Sequence, residues 1–406
     1  RMVIRNFLLA TDRGLGNGET PIFPVSIFKV KEGVNFNKED KNYDLFRLAC
    51  EVSAKRLFPN FAFIDAPFNK AFYKEGDINT EVSYMGCRTR VVADVTSPDN
   101  QVVTGRGNLS FTTINLPRLG IKYGIALGER DKADMKGFYE ELGEIIDKVR
   151  DQLLERFEVQ CNKRCYNFPF LLGQGVWTNG EKLKPTDRLR KVLKHGTLSI
   201  GFIGLAECLK ALTGKHHGED PKSQKLGIEI IKFMRDRIDE NAKKYNLNFT
   251  CLATPAEGLS GRFTSIDRAI YGKIKGVTDK EYYTNSFHVP VHYHISISNK
   301  LEIEAPYHEF TNGGHISYIE FDGNTAMNVD AFESVIRMMK EMGIGYGAIN
   351  HPVDRDPVCG YVGVIGDVCP GCGRKEFDSV PLEEVCTVAC ASTTSPRPLF
   401  TAFHQF

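Results

Sequence analysis

The chain has 406 residues, enough for one large domain or roughly two to three ordinary ones, and its 42% hydrophobic and 25% charged residues are typical of a globular protein. Lys and Arg number 52 against 51 Asp and Glu, so the net charge is +1. This balance excludes a whole-molecule attraction to nucleic acid or to an anionic membrane.

The predicted elements alternate along the chain. Helical spacing of apolar residues predicts helices over 2–10, 42–57, 132–157, 197–213 and 222–244. Two short apolar runs around Ser97-Pro98-Asp99-Asn100 predict a hairpin over 91–103. Further apolar or β-branched runs lie at 111–116, 247–252, 287–298 and 315–320. This alternation predicts an α/β fold built on a sheet or a barrel.

The compartment is read from the cysteines and from the start of the chain. No run approaches the roughly 18 apolar residues of a spanning helix, and the first residues lack the layout of a signal peptide. Several of the 11 cysteines stand alone among apolar residues, for example Cys50, Cys208 and Cys251. This scatter is typical of reduced core thiols, so we expect a cytoplasmic protein without a membrane contact.

The character of the sequence changes near residue 350. Gly, Pro and Cys crowd into 352–374, and residues 377–406 have no amphipathic period. We therefore expect a large α/β unit over 1–350, a Cys-rich segment over 351–376 and an irregular tail over 377–406.

A cysteine at a turn is the first candidate for chemistry. Cys87 lies between Gly86, which permits tight turning, and the basic pair Arg88 and Arg90, which favours a thiolate or a bound phosphate. Asn108 stands in a second Gly-rich turn and could hold a hydroxyl group. The alternative is a plain structural thiol in a turn.

Two other motifs suggest ligands. Residues 254–262 follow an apolar run and precede a helix-like segment, which favours an anion site made of backbone N–H groups. A capped turn, with Thr254 as the cap and Pro255 as the first helical residue, is compatible with the same sequence. His288, His292 and His294 would share one face of a strand, where hydrogen bonding to neighbours is the favoured interpretation over a metal.

Cys369 and Cys372 form a zinc-knuckle half-site, because a two-residue gap lets both thiolates reach one ion. Cys386 and Cys390 have a three-residue gap, and Cys359 lies ten residues before Cys369. An unmetallated turn is the alternative.

Several long blocks together resemble the anaerobic, glycyl-radical-type ribonucleotide reductases. They are residues 85–90, 105–118, 173–177, 195–205, 213–218, 254–258, 283–290 and 349–352, and they occur in the family's order over residues 1 to about 376. The resemblance implies a ten-stranded α/β barrel, here incomplete, with a finger loop around 83–90 and a small C-terminal zinc-binding segment.

The resemblance also implies roles for individual residues. Cys87 matches the cysteine that becomes a thiyl radical and abstracts a hydrogen from the ribose, and Asn108 is a candidate for contacting the sugar. The implied substrate contacts are Met85, Gly86, Arg88, Thr254, Pro255, Ala256, Glu257, Gly258 and Ser260. The implied structural zinc would be bound by Cys369 and Cys372, with two further ligands from Cys359, Cys386 and Cys390.

The implied partners follow from the family's chemistry. They are a ribonucleotide substrate, nucleotide effectors, a reductant that is formate or a thiol protein, and a second copy of the chain in a homodimer. A separate activating enzyme with an iron–sulfur cluster and S-adenosylmethionine would generate a glycyl radical.

The sequence departs from the family pattern at both ends. We expect the N-terminal nucleotide-binding regulatory region and the first barrel segments to be missing. No glycine follows Gly373, so the expected Gly-Tyr radical segment is absent, and Gly360 in Cys359-Gly360-Tyr361 is interpreted as a turn glycine. An inactive fragment, or one half of a split enzyme, is therefore an alternative to a complete reductase, as is another type of glycyl-radical enzyme.

Overall fold

The computed structural model describes residues 1–18, 20, 23–321, 323–351, 354–356, 358–363, 365, 368–375 and 383–384. At residues 17, 257, 355, 362–363 and 383–384 the description covers the backbone alone. The predicted tail over 377–406, apart from the backbone of 383–384, lies outside the described residues. None of the described helices is both long enough and apolar enough to cross a membrane.

Helices and strands alternate through most of the chain, as the α/β prediction requires. The helices are α1 (Met2–Arg13), α2 (Tyr43–Arg56), α3 (Pro67–Lys70), α4 (Leu116–Tyr123), α5 (Met135–Cys161), α6 (Arg190–Leu193), α7 (Leu205–Thr213), α8 (Pro221–Tyr245), α9 (Glu257–Tyr271), α10 (Ile297–Phe310) and α11 (Val329–Glu341). The strands are β1 (Ile27–Val30), β2 (Asn60–Phe63), β3 (Ser83–Met85), β4 (Thr89–Val91), β5 (Asn108–Asn115), β6 (Thr197–Ile203), β7 (Asn248–Ala253), β8 (Ser317–Glu320), β9 (Tyr346–Asn350), β10 (Asp354–Arg355), β11 (Val362–Gly363) and β12 (Glu383–Glu384).

The parallel sheet β5-β6-β7 has one apolar and one polar face. Leu198, Ile200 and Phe202 of β6 alternate with Thr197, Ser199 and Gly201. The apolar set lies in the largest hydrophobic core, together with residues of α5, α7 and α8. Truncation of a fully buried residue such as Phe202 to alanine would cost about 3–5 kcal/mol. The polar set is left to line the opposite side of the sheet.

A second sheet has the order β1-β2-β9-β8, in which β2 and β9 are antiparallel and the outer pairs are parallel. Its core contains Phe46 and Cys50 of α2 and Phe332 and Ile336 of α11. The apolar side chains of both helices therefore anchor this sheet.

The two-stranded hairpin β3-β4 lies beside both sheets. Gly314 makes single β-bridges to Thr89 of β4 and to Leu252 of β7, and Tyr84 of β3 packs with Ala62 of β2 and Tyr346 of β9 in one apolar cluster. The hairpin is thus held where the two halves of the fold meet.

The predicted ten-stranded barrel is not found as a closed barrel. Across the described residues the strands form separate sheets, and no continuous ladder joins the edges of β1-β2-β9-β8 to those of β5-β6-β7. A barrel closes only when its edge strands pair. The α/β class is confirmed.

Three local predictions are wrong. Residues 197–213 are not one helix but strand β6 followed by α7, separated by Gly204 at φ +74°. The run 287–298 contains no strand among its described residues, because Pro290 and polar turns interrupt it before α10 begins. Residues 91–103 form turns rather than a paired hairpin after β4 ends.

Candidate active site and metal centre

Cys87 lies at the tip of the β3-β4 hairpin. Met85 pairs with Thr89, which leaves Gly86, Cys87 and Arg88 as a three-residue connection. Gly86 has φ +56°, a left-handed conformation that favours glycine, so the turn that the sequence predicted at this residue is present. The Cys87 side chain is half-buried, and Met85 is likewise half-buried.

Two tyrosines hold the hairpin from the side of the second sheet. The rings of Tyr84 and Tyr346 stack with centroids 4.6 Å apart. The Tyr346 hydroxyl donates to the Gly86 carbonyl oxygen at 3.3 Å and accepts from Asn60 at 3.0 Å. The Tyr84 hydroxyl lies 2.8 Å from His315 Nε2. The backbone next to Cys87 is therefore fixed by side chains from β2, β3 and β9.

Arg88 connects the hairpin to the first sheet. Its guanidinium is 1% exposed and donates through Nη1 to the Ala253 carbonyl oxygen and the Ser286 hydroxyl, both at 3.3 Å. Nε and Nη2 of Arg88 have no hydrogen-bond partner among the described residues. A buried guanidinium with unused N–H groups favours a negatively charged group beside it.

The hairpin approaches its neighbours so closely that only glycine fits. A Cβ on Gly314, which has φ +137°, would lie 2.1 Å from the Arg88 carbonyl oxygen. The Gly313 carbonyl oxygen accepts from Arg90 N at 2.9 Å, and the Gly314 carbonyl oxygen accepts from Ala253 N at 3.0 Å. The Gly313-Gly314 pair had no predicted role, and its adjacent glycines were the available signal.

Asn108 begins β5 and belongs to a row of polar side chains across three strands. Its amide donates to Thr197 Oγ1 at 3.0 Å and to Ser199 Oγ at 2.6 Å, and Ser199 Oγ lies 2.8 Å from Thr250 Oγ1. Because this row lies on the polar face of the sheet, it offers hydroxyl and amide groups to a polar ligand.

Residues 254–260 follow β7 and lead into α9. Thr254 does not cap this helix, because its hydroxyl bonds Thr113 Oγ1 at 3.0 Å. The helix begins at Glu257, with Ala256 at the cap and no side-chain capping hydrogen bond, so the predicted capped turn is wrong. Ser260 is buried, Pro255 half-buried and Gly258 exposed, and the Glu257 side chain lies outside the described part.

The segment 283–286 links these features, and no individual role was predicted for its residues. Asn285 Oδ1 accepts from Ala256 N at 3.1 Å, while Ser286 accepts from Arg88. Buried Glu207 accepts from the Thr284 backbone and hydroxyl, and burial raises the pKa of this carboxyl group. In the sequence, these residues belong to the block 283–290, whose signal is the resemblance to the family.

The three histidines do not share a face. His288 is buried with Nδ1 3.3 Å from Glu304 Oε2, whereas His292 and His294 are exposed. Burial lowers the pKa of His288. The favoured interpretation, hydrogen bonding to neighbours, stays a prediction for His288, because its contact with Glu304 is not accompanied by a hydrogen bond of either ring nitrogen within the described residues.

A candidate metal centre lies at the C-terminal end of the described chain. The ligand atoms of Asp356, Cys359, Cys369 and Cys372 all lie within 4.8 Å of one another. Cys359 Sγ and Cys369 Sγ are 3.6 Å apart, close to the roughly 3.8 Å expected for two thiolates on one tetrahedral zinc. The donor set therefore fits a zinc ion.

The Cys372 thiol of this cluster is not set up as a thiolate without a cation. The backbone amide of Arg374 favours the Cys372 thiolate, but the Asp356 carboxylate, burial and the two neighbouring thiols raise the pKa of Cys372 to about 12. Cys359, Cys369 and Cys372 come together as predicted, Asp356 was not predicted, and Cys386 and Cys390 lie outside the described residues.

Known proteins similar to the chain agree with one another. A family model described as anaerobic ribonucleoside-triphosphate reductase matches residues 1–381. The reductase of that name from Enterobacteria phage T4 is 34% identical over 93% of this chain and 60% of its own length. The one from Escherichia coli K12 is 32% identical over 95% of this chain and 53% of its own length. The chain thus spans little more than half the length of these relatives.

Solved structures resemble the fold at lower identity. A structure of an anaerobic ribonucleotide reductase aligns with TM-score 0.60 and 18% identity, covering 87% of this chain and 50% of that one. The Thermotoga maritima enzyme in complex with dATP and CTP aligns with TM-score 0.58 and 17% identity, covering 87% and 51%. A glycyl radical enzyme from Archaeoglobus fulgidus aligns with TM-score 0.58 and 12% identity, covering 85% and 48%. The match over residues 1–381 and the identity to the curated reductases place this chain in the anaerobic ribonucleoside-triphosphate reductase family.

Proposed function

We propose that this chain supplies the catalytic part of an anaerobic reductase that converts ribonucleoside triphosphates to deoxyribonucleotides for DNA synthesis. The observation that carries the proposal is the hairpin turn of Gly86, Cys87 and Arg88, clamped between two sheets, in a chain that belongs to this family. The large unit over 1–350 would carry the catalysis, in a cytoplasmic protein whose complete form closes the ten-stranded barrel.

Cys87 is the residue proposed to carry the thiyl radical. In that role it takes a hydrogen atom from the ribose of the substrate, which leaves a carbon radical on the sugar and a thiol on the protein. Such a radical must be kept from solvent. The fixed backbone around Gly86, with Tyr346 on one side and Arg88 on the other, supports a thiol held in one place rather than on a mobile loop.

The substrate is proposed to lie between Cys87 and the polar face of the first sheet. Asn108 and its hydroxyl neighbours Ser199 and Thr250 would hydrogen-bond the ribose. Two observations support a phosphate contact at the adjoining loop. The start of α9 lacks a side-chain cap, and the guanidinium of Arg88 next to Ala253 has unused N–H groups.

The substrate-phosphate loop is proposed to comprise Thr254, Pro255, Ala256, Glu257, Gly258 and Ser260, with Met85 and Gly86 contacting the substrate from the hairpin. Asp267 of α9 accepts hydrogen bonds from Asn115, Arg118 and Tyr283, so the helix behind this loop is firmly held. A rigid helix start is what a fixed anion position requires.

The radical is proposed to come from another segment. A glycyl radical, formed by a separate activating enzyme with an iron–sulfur cluster and S-adenosylmethionine, would supply the oxidising equivalent to Cys87. Gly360 is a poor candidate for that glycine, because it closes a turn with φ +77° and donates to the Asp356 carbonyl oxygen at 2.8 Å. The split-enzyme alternative therefore stays open.

The remaining partners are proposed because the chain belongs to this family. They are formate or a thiol protein as reductant, a second copy of the chain, and nucleotide effectors such as the dATP bound by the Thermotoga maritima enzyme. A zinc ion at the Cys-rich segment 351–376 would have a structural role, because three thiolates and a carboxylate leave no open coordination position.

Complementation tests the proposal. The chain is incubated anaerobically with a ribonucleoside triphosphate, the activating enzyme, S-adenosylmethionine and a reductant, with or without polypeptides that carry the regulatory region and the glycyl-radical segment. We expect deoxynucleotide in the complete mixture and none when either the chain or its complement is left out. A folded chain that binds its complement and the nucleotide but yields no product would contradict the proposal and favour an inactive fragment.

A further inference from the structure

The candidate metal centre is built from two turns of the same form. Asp356 and Cys359 are three residues apart and are followed by Gly360, while Cys369 and Cys372 have the same spacing and are followed by Gly373. In each turn the glycine N–H donates to the carbonyl oxygen of the first residue at 2.8 Å. The glycines have nearly equal φ angles of +77° and +75°. Asp356 therefore occupies the position in the first turn that Cys369 occupies in the second.

The Asp356 carboxylate is oriented with one oxygen toward the thiols. Its Oδ2 atom accepts from Cys372 Sγ at 3.2 Å and from Arg374 Nε at 3.3 Å, while Oδ1 accepts from Arg374 Nη2 and from Val358 N, both at 2.8 Å. Asp356 is completely buried and forms an ion pair with Arg374. Carboxylates that bind metals are commonly fixed by such a second hydrogen bond.

We propose that Asp356 is the fourth ligand of the metal site, binding through Oδ2 beside the thiolates of Cys359, Cys369 and Cys372, with Arg374 holding the carboxylate in place through hydrogen bonds to both of its oxygens. This inference rests on the proposed metal site and replaces the expectation that Cys386 or Cys390 completes it. The site is then a three-sulfur, one-oxygen centre in which Arg374 offsets part of the negative charge of the ligands.

An oxygen ligand makes the site less selective for soft metals than four thiolates would. Asp356→Cys should therefore raise the affinity for Cd²⁺ more than the affinity for Zn²⁺. Arg374→Ala should weaken Zn²⁺ binding by about 10–100-fold, the usual effect of removing a hydrogen-bond partner of a ligand. Asp356→Ala should weaken it more than Arg374→Ala does.

Cobalt substitution tests the ligand set directly. The full chain, purified without oxygen and stripped of metal, is titrated with Co²⁺, and the sulfur-to-cobalt charge-transfer absorption is recorded with the visible bands of tetrahedral Co²⁺. The variants are Asp356→Ala, Asp356→Cys and the double variant Cys386→Ser/Cys390→Ser. Asp356→Cys keeps a metal-binding group at the position, so it remains informative if Asp356→Ala fails to fold.

We expect wild type to bind one Co²⁺ with tetrahedral bands and the double variant to match it. Asp356→Cys should raise the charge-transfer intensity by about one third, since a fourth thiolate joins three. Unchanged intensity in Asp356→Cys, or loss of the bands in the double variant alone, would overturn the role of Asp356. Failure of folded wild type to bind Co²⁺ or Zn²⁺ would overturn the metal site as well, and neither result bears on nucleotide reduction.

Discussion

Asp94→Asn should destabilise the connection between the β3-β4 hairpin and the β5-β6-β7 sheet. Asp94 is 3% exposed and follows β4, and it accepts hydrogen bonds from His195 Nδ1 at 2.8 Å and from Asn248 Nδ2 at 3.0 Å. His195 precedes β6 and Asn248 begins β7, so this one carboxylate connects the end of the hairpin to two strands of the first sheet. Arg106 Nε lies 3.8 Å from the same carboxylate.

The size of the expected loss in the free energy of unfolding follows from the pKa of Asp94. Burial acts to raise it, but the His195 hydrogen bond and the Arg106 charge outweigh burial and hold the pKa at about 2, against an ordinary 3.8. This difference corresponds to about 2.5 kcal/mol of stability at neutral pH. Since the variant also leaves Arg106 without its anion, we expect a loss of about 3 kcal/mol in the free energy of unfolding.

The sign of the pH dependence is fixed by the lowered pKa. The stability contributed by the Asp94 carboxylate is complete above its unfolded-state pKa near 4 and is lost as the pH falls through its folded-state pKa of about 2. About half of this stability should therefore remain at pH 3. Urea unfolding of wild type and Asp94→Asn between pH 3 and pH 7 measures this, with the exposed Asp99→Asn as control. A difference below about 0.5 kcal/mol at pH 7, within the range of surface changes, would refute the reasoning.

Two further predictions concern the hairpin and the radical. Gly314→Ala places a methyl group against the Arg88 carbonyl oxygen, so amide hydrogen exchange over 83–91 should become faster. A methyl group in the control variant Gly323→Ala meets no atom within 4 Å and should leave this exchange unchanged. Equal exchange in both variants would contradict the proposed close approach. The chain alone, treated with the activating enzyme, S-adenosylmethionine and a reductant, should give no glycyl signal in its electron paramagnetic resonance spectrum. A doublet that disappears in Gly360→Ala would make Gly360 the radical site instead.

Part of the fold could be predicted from the sequence because the apolar residues of several segments recur at a regular spacing. Long amphipathic patterns gave α5 and α8 within a few residues at most boundaries, and the β-branched runs near 111–116 and 247–252 gave β5 and β7. Strand β6 was missed because its apolar residues continue directly into those of α7, and only the left-handed Gly204 separates the two elements. An apolar run of that length fits a buried strand and a helix equally well.

The candidate site likewise has features that the sequence predicts and features that it does not. A local block of residues predicted the turn at Cys87, and Gly86 adopts the left-handed conformation that glycine permits. The stacking of Tyr84 on Tyr346 and the bond from Arg88 to Ser286 join positions far apart in sequence, so no local pattern could predict them. Asp356 escaped notice because a carboxylate carries no signal until its turn is compared with that of Cys369.

The central claim, that Cys87 performs the hydrogen abstraction, is tested most directly by replacing its sulfur with oxygen. Cys87→Ser and, as a control, Cys165→Ala in the core away from the hairpin are compared with wild type in the complemented mixture. Product formation and nucleotide binding are both measured. We predict that Cys87→Ser folds and binds nucleotide like wild type but forms no deoxynucleotide, while Cys165→Ala stays active. Deoxynucleotide formation by Cys87→Ser would contradict the account.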